Sequence, residues 1–132
     1  MHTIEIKVRG YHLDVFGHVN NARYLEFLEE GRWALFDGKV KLDDLARDGF
    51  MFTVVNININ YLKPAFLHDW LQVETRLAKF GNRSATLRQT VKNKASGETI
   101  ADADVTFVML ATREQKAAVL EGRLKERIIQ VL

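Results

Sequence analysis

One segment of this chain alone has the length and the apolar stripe of a helix able to cover a sheet. It runs from Asn20 to Phe36, directly behind a polar loop. At about 100° per residue, Tyr24, Leu25, Phe27, Leu28, Gly31, Leu35 and Phe36 fall on one broad face. Arg23, Glu26, Glu29, Glu30 and Asp37 fall on the other. Asn20 and Asn21 mark its start, because short amide side chains accept bonds from the unpaired first-turn N–H groups. Asp37-Gly38 marks its end, glycine being a natural C-terminal stop. Arg32 turns toward the apolar side and is expected to pair with Glu29. Gly31, in mid-helix, costs about 1 kcal/mol relative to alanine. It either loosens the helix or enlarges a pocket.

The other long segments alternate. Thr3 to Arg9 sets Ile4, Ile6 and Val8 against Glu5, Lys7 and Arg9, a half-buried strand. Leu42 to Asp48 reads as a short helix closed by Gly49. Phe50 to Tyr61 reads as a long strand, with Met51, Val55, Ile57, Ile59 and Tyr61 on one face. Its opposite face changes from Phe50, Phe52 and Val54 to Asn56, Asn58 and Asn60. Pro64 breaks it. Trp70 to Phe80 and Arg83 to Lys92 form a hairpin about Gly81-Asn82, with Leu71, Val73, Leu77, Ala85, Leu87 and Val91 inward. After a turn at Asn93 to Gly97, Thr99 to Ala111 alternates most cleanly: Ala101, Ala103, Val105, Phe107 and Met109 against Asp102, Asp104 and Thr106. A short strand near Ala117 to Leu120 and a helical tail from Glu121 to Val131 close the chain. Hairpin-scale connections make the sheet antiparallel, and one face needs cover. The expected architecture is α+β: a curved sheet wrapped around one helix, residues 1–132 forming a single domain. Ala101 and Ala103 are the expected points of close helix approach.

Composition narrows the chemistry. The net charge of +2 and a pI near 9.0 suit an anionic ligand. Lys and Arg are scattered rather than clustered, so nucleic acid is not the expected partner. The absence of cysteine excludes disulfides, thiolate metal sites and cysteine nucleophiles. His2, His12, His18 and His68 have no metal-ligand spacing. Ser84 and Ser96 sit in no nucleophile elbow. The longest uncharged run, Gly49 to Leu62, is too short for a membrane span. With no apolar signal core at the N-terminus, a cytoplasmic location is expected.

The segment Asp14-x-x-Gly17-His18-Val19-Asn20-Asn21-x-x-Tyr24 resembles the active-site motif of hotdog-fold acyl-CoA thioesterases of the 4-hydroxybenzoyl-CoA thioesterase-like group. RGYHLDVFGHVNNARYLEFLEEGRW, together with VVNININYLKPAFLHD, is most similar to the bacterial long-chain acyl-CoA thioesterase III branch. The resemblance implies a hotdog fold, an acyl-CoA substrate, no metal or redox cofactor, and active sites at a dimer interface in a homodimer or homotetramer. Gly31 departs from it, since that branch implies alanine there.

Thioester hydrolysis needs an activated water or a nucleophile, and donors for the developing oxyanion. Asp14 is the only acid in the motif loop and is suited to act as general base or as nucleophile; its alternative role is to cap the loop. Gly17 lets the backbone approach substrate closely. His18 and Asn20 are placed to orient Asp14 or the thioester, and the N–H groups of Asn21 to Tyr24 to polarise the carbonyl. Tyr24 reads as core with a hydroxyl to spare. Lys63, Lys79, Arg83, Arg88 and Lys92 are candidates for the phosphates of coenzyme A, Arg83-Ser84 first among them. Phe27, Leu28, Phe50, Phe52 and Val54 are the expected apolar surface for an acyl tail. Two other activities suit the same fold: hydroxyacyl dehydration by a His with an acid, and non-catalytic binding of acyl groups or carrier protein.

Overall fold

The computed structural model describes residues 1–37 and 42–130. In chain order they form β1 (His2–Lys7), a 3-10 turn (Gly10–His12), α1 (Asn21–Phe36), α2 (Leu42–Arg47) and β2 (Phe50–Tyr61). There follow β3 (Trp70–Phe80), β4 (Ser84–Asn93), β5 (Thr99–Ala111), β6 (Lys116–Ala117) and α3 (Gly122–Ile129). The expected helix stop at Gly38 and the end of the tail at Val131 lie outside the described residues. The sheet is antiparallel in the order β1-β3-β4-β5-β2, with β6 added to β5. The helix α1 covers one face, nearest β3 and β1.

Alternation does what the sequence predicts over β3, β4 and β5. Leu71, Val73, Ala85, Leu87, Val91, Ala101, Ala103, Val105, Phe107 and Met109 are all buried. Burying each larger aliphatic side chain stabilises the fold by roughly 1.5–3 kcal/mol. The remaining inward positions of β3 and β4 include Thr75 and Gln89, buried and polar. Gln89 is satisfied on every side. Its Nε2 donates to the Leu28 carbonyl (2.9 Å) and to Thr75 Oγ1 (2.8 Å), and its Oε1 accepts from Arg32 (3.1 Å).

That network corrects three expectations about α1. The helix comes close to the sheet at Gly31, over Val73, Thr75 and Gln89, and its main contacts are with β3 and β1 rather than with β5, which carries Ala101 and Ala103. A Cβ on Gly31 would stand 2.9 Å from Val73 Cγ1, 3.1 Å from Gln89 Nε2 and 3.2 Å from Thr75 Oγ1. Gly31 therefore tightens the helix–sheet contact rather than opening a pocket. Arg32 makes its hydrogen bond with Gln89, and no ion pair with Glu29 forms among the described residues.

A β-bulge changes the reading of β2. The register against β5 shifts between Val54 and Asn56, leaving Val55 as the extra residue. Every position beyond it changes face. Phe50 and Phe52 therefore share the inner face with Ile57 and Ile59, and all four pack against the core. Met51, expected beside Ile57, is 52% exposed. The Asn56, Asn58 and Asn60 stripe faces away from the helix, with Asn60 donating to Asp102 (3.1 Å).

The β3–β4 hairpin turns one residue later than expected. Gly81 N–H donates to the Ser84 carbonyl (2.7 Å), so Asn82 and Arg83 are the two loop residues. The final strand also comes one residue earlier, Leu110 and Ala111 of β5 pairing with Ala117 and Lys116.

Candidate active site

The loop ahead of α1 is a three-residue hairpin built on Asp14. Leu13 bridges Val19, Asp14 N–H donates to the His18 carbonyl (3.1 Å), and Gly17 N–H donates back to the Asp14 carbonyl (3.0 Å). This closure needs a left-handed residue in third position, and Gly17 supplies it with φ 82°. Asp14 Oδ1 accepts from the Phe16 N–H (2.9 Å), fixing the carboxylate over its own turn. Oδ2 accepts no bond from the described residues. Val15 and Phe16 form the tip and are 92% and 78% exposed. The His18 ring lies between Phe16 and Phe66, its Nδ1 3.5 Å from the Val19 carbonyl.

Two residues further on the helix begins. Asn20 is its N-cap, and Oδ1 accepts from Ala22 N–H (2.9 Å) while the Asn20 carbonyl accepts from Arg23 N–H (2.9 Å). The Asn20 side chain is thus spent on the helix. Asn21 N–H meets no acceptor among the described residues and points out of the positive end of the α1 dipole. One carboxylate oxygen and one helix-end donor are therefore available within a single rigid loop–helix junction.

Tyr24, in the first turn of α1, is buried in the core rather than exposed at that junction. It is 3% exposed, ringed by Phe27 and Tyr61, and its phenol is pushed up to about 12, chiefly by burial against a weaker opposing hydrogen bond with the Ala65 backbone. Tyr61 of β2 donates its hydroxyl to the Asn21 carbonyl (3.1 Å), tying the end of β2 to the first turn of α1.

The structure does not gather the basic candidates in one place, although Arg88 and Lys92 line a small cleft with Glu74 and Arg76. Lys63, just past β2, pairs with Glu98 (2.6 Å). Arg88 lies on the outer sheet face between Asp102 (3.0 Å) and Asp104 (3.2 Å), and Lys92 pairs with Glu74 (2.7 Å). Arg83 donates to the Ala117 carbonyl (3.3 Å) in the far hairpin. Ser84 pairs with Val108, whereas Tyr61 pairs with Ala101, so the two ends are seven residues, or about 23 Å, apart along β5.

His12 was not singled out by sequence reasoning, yet it supports the junction. It is buried, its Nδ1 accepts from Arg9 N–H (2.9 Å), and its carbonyl accepts from Asn20 N–H (2.9 Å). Its ring packs edge-on to Phe27. Burial, then the charge of Arg23, lowers its pKa below the ordinary histidine value, against the opposing pull of Glu26. No spacing rule reveals this role, because it works through a carbonyl eight residues before the cap.

A cavity of about 420 Å³ opens between the second half of α1, α2 and the first half of β2. Trp33, Phe36, Leu45, Phe50, Phe52 and Val54 supply its apolar wall, and Glu29, Arg32 and Asp43 its charged side chains. Phe27 and Leu28, expected to offer surface here, are buried in the core instead. Among the described residues no cluster of three His, Asp or Glu side chains could hold a metal ion, and no helix is long and apolar enough to cross a membrane.

Residues 8–128 match the family model described as "Thioesterase-like superfamily". The chain belongs to that superfamily. It is 46% identical over 128 residues to the long-chain acyl-CoA thioesterase FadM of Escherichia coli, covering 97% of both chains. The crystal structure of YbaW, a probable thioesterase from Escherichia coli, superposes with a TM-score of 0.94 at 45% identity, over 99% of this chain and 98% of that one. A Thermus thermophilus thioesterase crystallised with coenzyme A and Zn superposes with a TM-score of 0.81 at 29% identity, over 98% of this chain and 92% of that one. The superfamily's sheet wrapped around one helix is the hotdog fold, and the thioesterase-like chain described here has it throughout β1 to β5.

Proposed function

We propose that this protein hydrolyses medium- to long-chain acyl-CoA thioesters to the free acid and coenzyme A. The observation that carries the reading is the junction itself: an Asp14 Oδ2 free of donors on the loop that leads into α1, and an unpaired Asn21 N–H at the start of that helix. As general base, Asp14 takes a proton from water while the water oxygen attacks the thioester carbon. The carbonyl oxygen gains charge and draws on Asn21 N–H and the helix dipole. Collapse breaks the C–S bond, and the proton goes to the departing thiolate. Direct attack by Asp14, forming an anhydride that water then opens, uses the same two groups. Similarity to the Escherichia coli long-chain acyl-CoA thioesterase supports the substrate class.

The active form in this reading is a homo-oligomer. β2 is an edge strand of twelve residues, with Met51, Val54 and Val55 exposed along it. Such an edge carries a row of unpaired backbone groups that calls for cover. Two copies pairing antiparallel along β2 set the first half of one strand against the second half of the other. The apolar cavity beside Phe50 and Phe52 of one protomer then adjoins the Asn21 end of its partner. A dimer thus gives each Asp14 an acyl pocket, and further pairing to a tetramer needs no change at the site.

A screen across acyl-CoA chain lengths, with released coenzyme A read by a thiol reagent, tests the function. Each methylene buried in the cavity contributes up to about 0.8 kcal/mol. kcat/KM is therefore expected to rise from acetyl to medium and long chains. A flat profile, a preference for acetyl-CoA, or tight binding without release of coenzyme A overturns the reading.

A further inference from the structure

The cavity beside α1 is mostly apolar, with charged side chains in its lining: Asp43 on α2, and Glu29 and Arg32 one turn apart on α1. Arg32 reaches the cavity from the buried side of the helix, next to Gly31. Its guanidinium has five N–H donors, and the described residues take up one of them, at Gln89 Oε1. No carboxylate lies within ion-pair distance of it among the described residues. Burial lowers its pKa, opposed by the negative charge of Glu29 one turn earlier. Glu29 lines the same cavity and accepts from Trp33 Nε1 (3.4 Å) through one oxygen only.

A purely aliphatic tail that displaces water here leaves the half-buried Arg32 guanidinium short of acceptors, which is costly for a charged donor, while Glu29 stays exposed at the rim. The chemistry of the missing partner is defined by the two side chains. Arg32 only donates and ionised Glu29 only accepts. A hydroxyl does both: its oxygen accepts from Arg32 while its proton is donated to Glu29. A ketone serves Arg32 alone, and a carboxylate meets repulsion from Glu29.

We propose that this cavity is a specificity site for acyl chains that carry a hydroxyl group, with Arg32 and Glu29 as the residues that read it. Gln89 is the positioning residue, since its Nε2 is fixed on Leu28 and Thr75 and its Oε1 aims the guanidinium. Trp33, Phe36 and Phe52 hold the methylenes on either side. The inference rests on the hydrolytic reading given above and adds to it a substrate class.

The test compares hydroxyacyl-CoA esters, hydroxylated at successive positions along a fourteen-carbon chain as probe (about the medium-to-long boundary, whose methylenes match an apolar cavity), with the unsubstituted ester of the same length. In the wild-type protein at least one positional isomer is expected to exceed the plain ester about tenfold in kcat/KM, as one charged hydrogen bond predicts. In Arg32→Met that ratio is expected to fall to near one, and in Glu29→Gln to an intermediate value. Thermal melting identifies a variant that has lost its fold, and Arg32→Lys, which retains the charge but not the fork, then supplies the comparison and is expected to lose most of the ratio. No favoured isomer in the wild type overturns the proposal, as does a preference that Arg32→Met and Arg32→Lys both retain. Hydrolysis of plain esters with a flat isomer profile refutes this inference alone. Failure to hydrolyse any ester refutes the functional reading beneath it.

Discussion

Replacing Gly31 by alanine sets two well-measured effects against each other. Helix propensity favours alanine by about 1 kcal/mol. Against that, the new methyl group would stand 2.9 Å from Val73 Cγ1 and within 3.2 Å of Gln89 Nε2 and Thr75 Oγ1. Overpacking of this kind costs roughly 1–3 kcal/mol. Gln89 is wholly buried, so moving its amide off Leu28 and Thr75 adds about 1–3 kcal/mol for polar groups left unpaired. The balance is a net destabilisation of about 1–5 kcal/mol, or a fall in Tm of roughly 4–18 °C for a chain of this size. Differential scanning calorimetry of the wild type and Gly31→Ala measures it. Gly31→Ala combined with Gln89→Ala should lose less than the two single changes added together, since both act at one contact. A Tm that rises in Gly31→Ala, as propensity alone predicts, refutes the reasoning.

Two further outcomes follow from particular side chains. His12 has a lowered folded-state pKa, so the stability it contributes is present above its unfolded value near 6.5 and is lost as pH falls through the lower folded value. Urea midpoints should therefore drop on acidification below about pH 6.5, and His12→Gln should flatten that part of the profile; an unchanged slope removes His12 as the cause. Val55, the bulged and 56% exposed residue of the β2 edge, should tolerate Lys in an isolated protomer but weaken pairing of the edges. Light scattering at micromolar concentration should give a dimer or larger species for the wild type and a lower mean mass for Val55→Lys; a wild-type monomer contradicts the interface.

The parts of the fold legible in the sequence are those governed by strict period. β5 alternates without interruption, and Ala101, Ala103, Val105, Phe107 and Met109 are all buried as alternation requires. The cap at Asn20 was equally readable, because a short amide ahead of an apolar helical run has one good use. What escaped was set by tertiary context. The bulge at Val55 has no composition signal, and it alone reverses which residues join Phe50 and Phe52. Gly31 and Arg32 make sense only once Gln89, 57 residues beyond Arg32, is known to lie beneath them. The motif loop identified Asp14 and Gly17 as neighbours. It did not reveal that Arg83 and Arg88 already have partners.

In the proposed mechanism Asp14 carries the chemistry from a turn it also holds together. Asp14→Asn separates those roles, because an amide oxygen can still accept from Phe16 N–H while basicity and negative charge are gone. Loss of a general base costs about 10²–10⁴-fold in rate, and loss of a nucleophile costs more. Steady-state hydrolysis of a long-chain acyl-CoA by Asp14→Asn, alongside its melting curve, is the direct measurement. kcat is expected to fall by at least about a hundredfold, with KM and Tm little changed. A variant that melts like the wild type and keeps more than about a tenth of its kcat contradicts the mechanism.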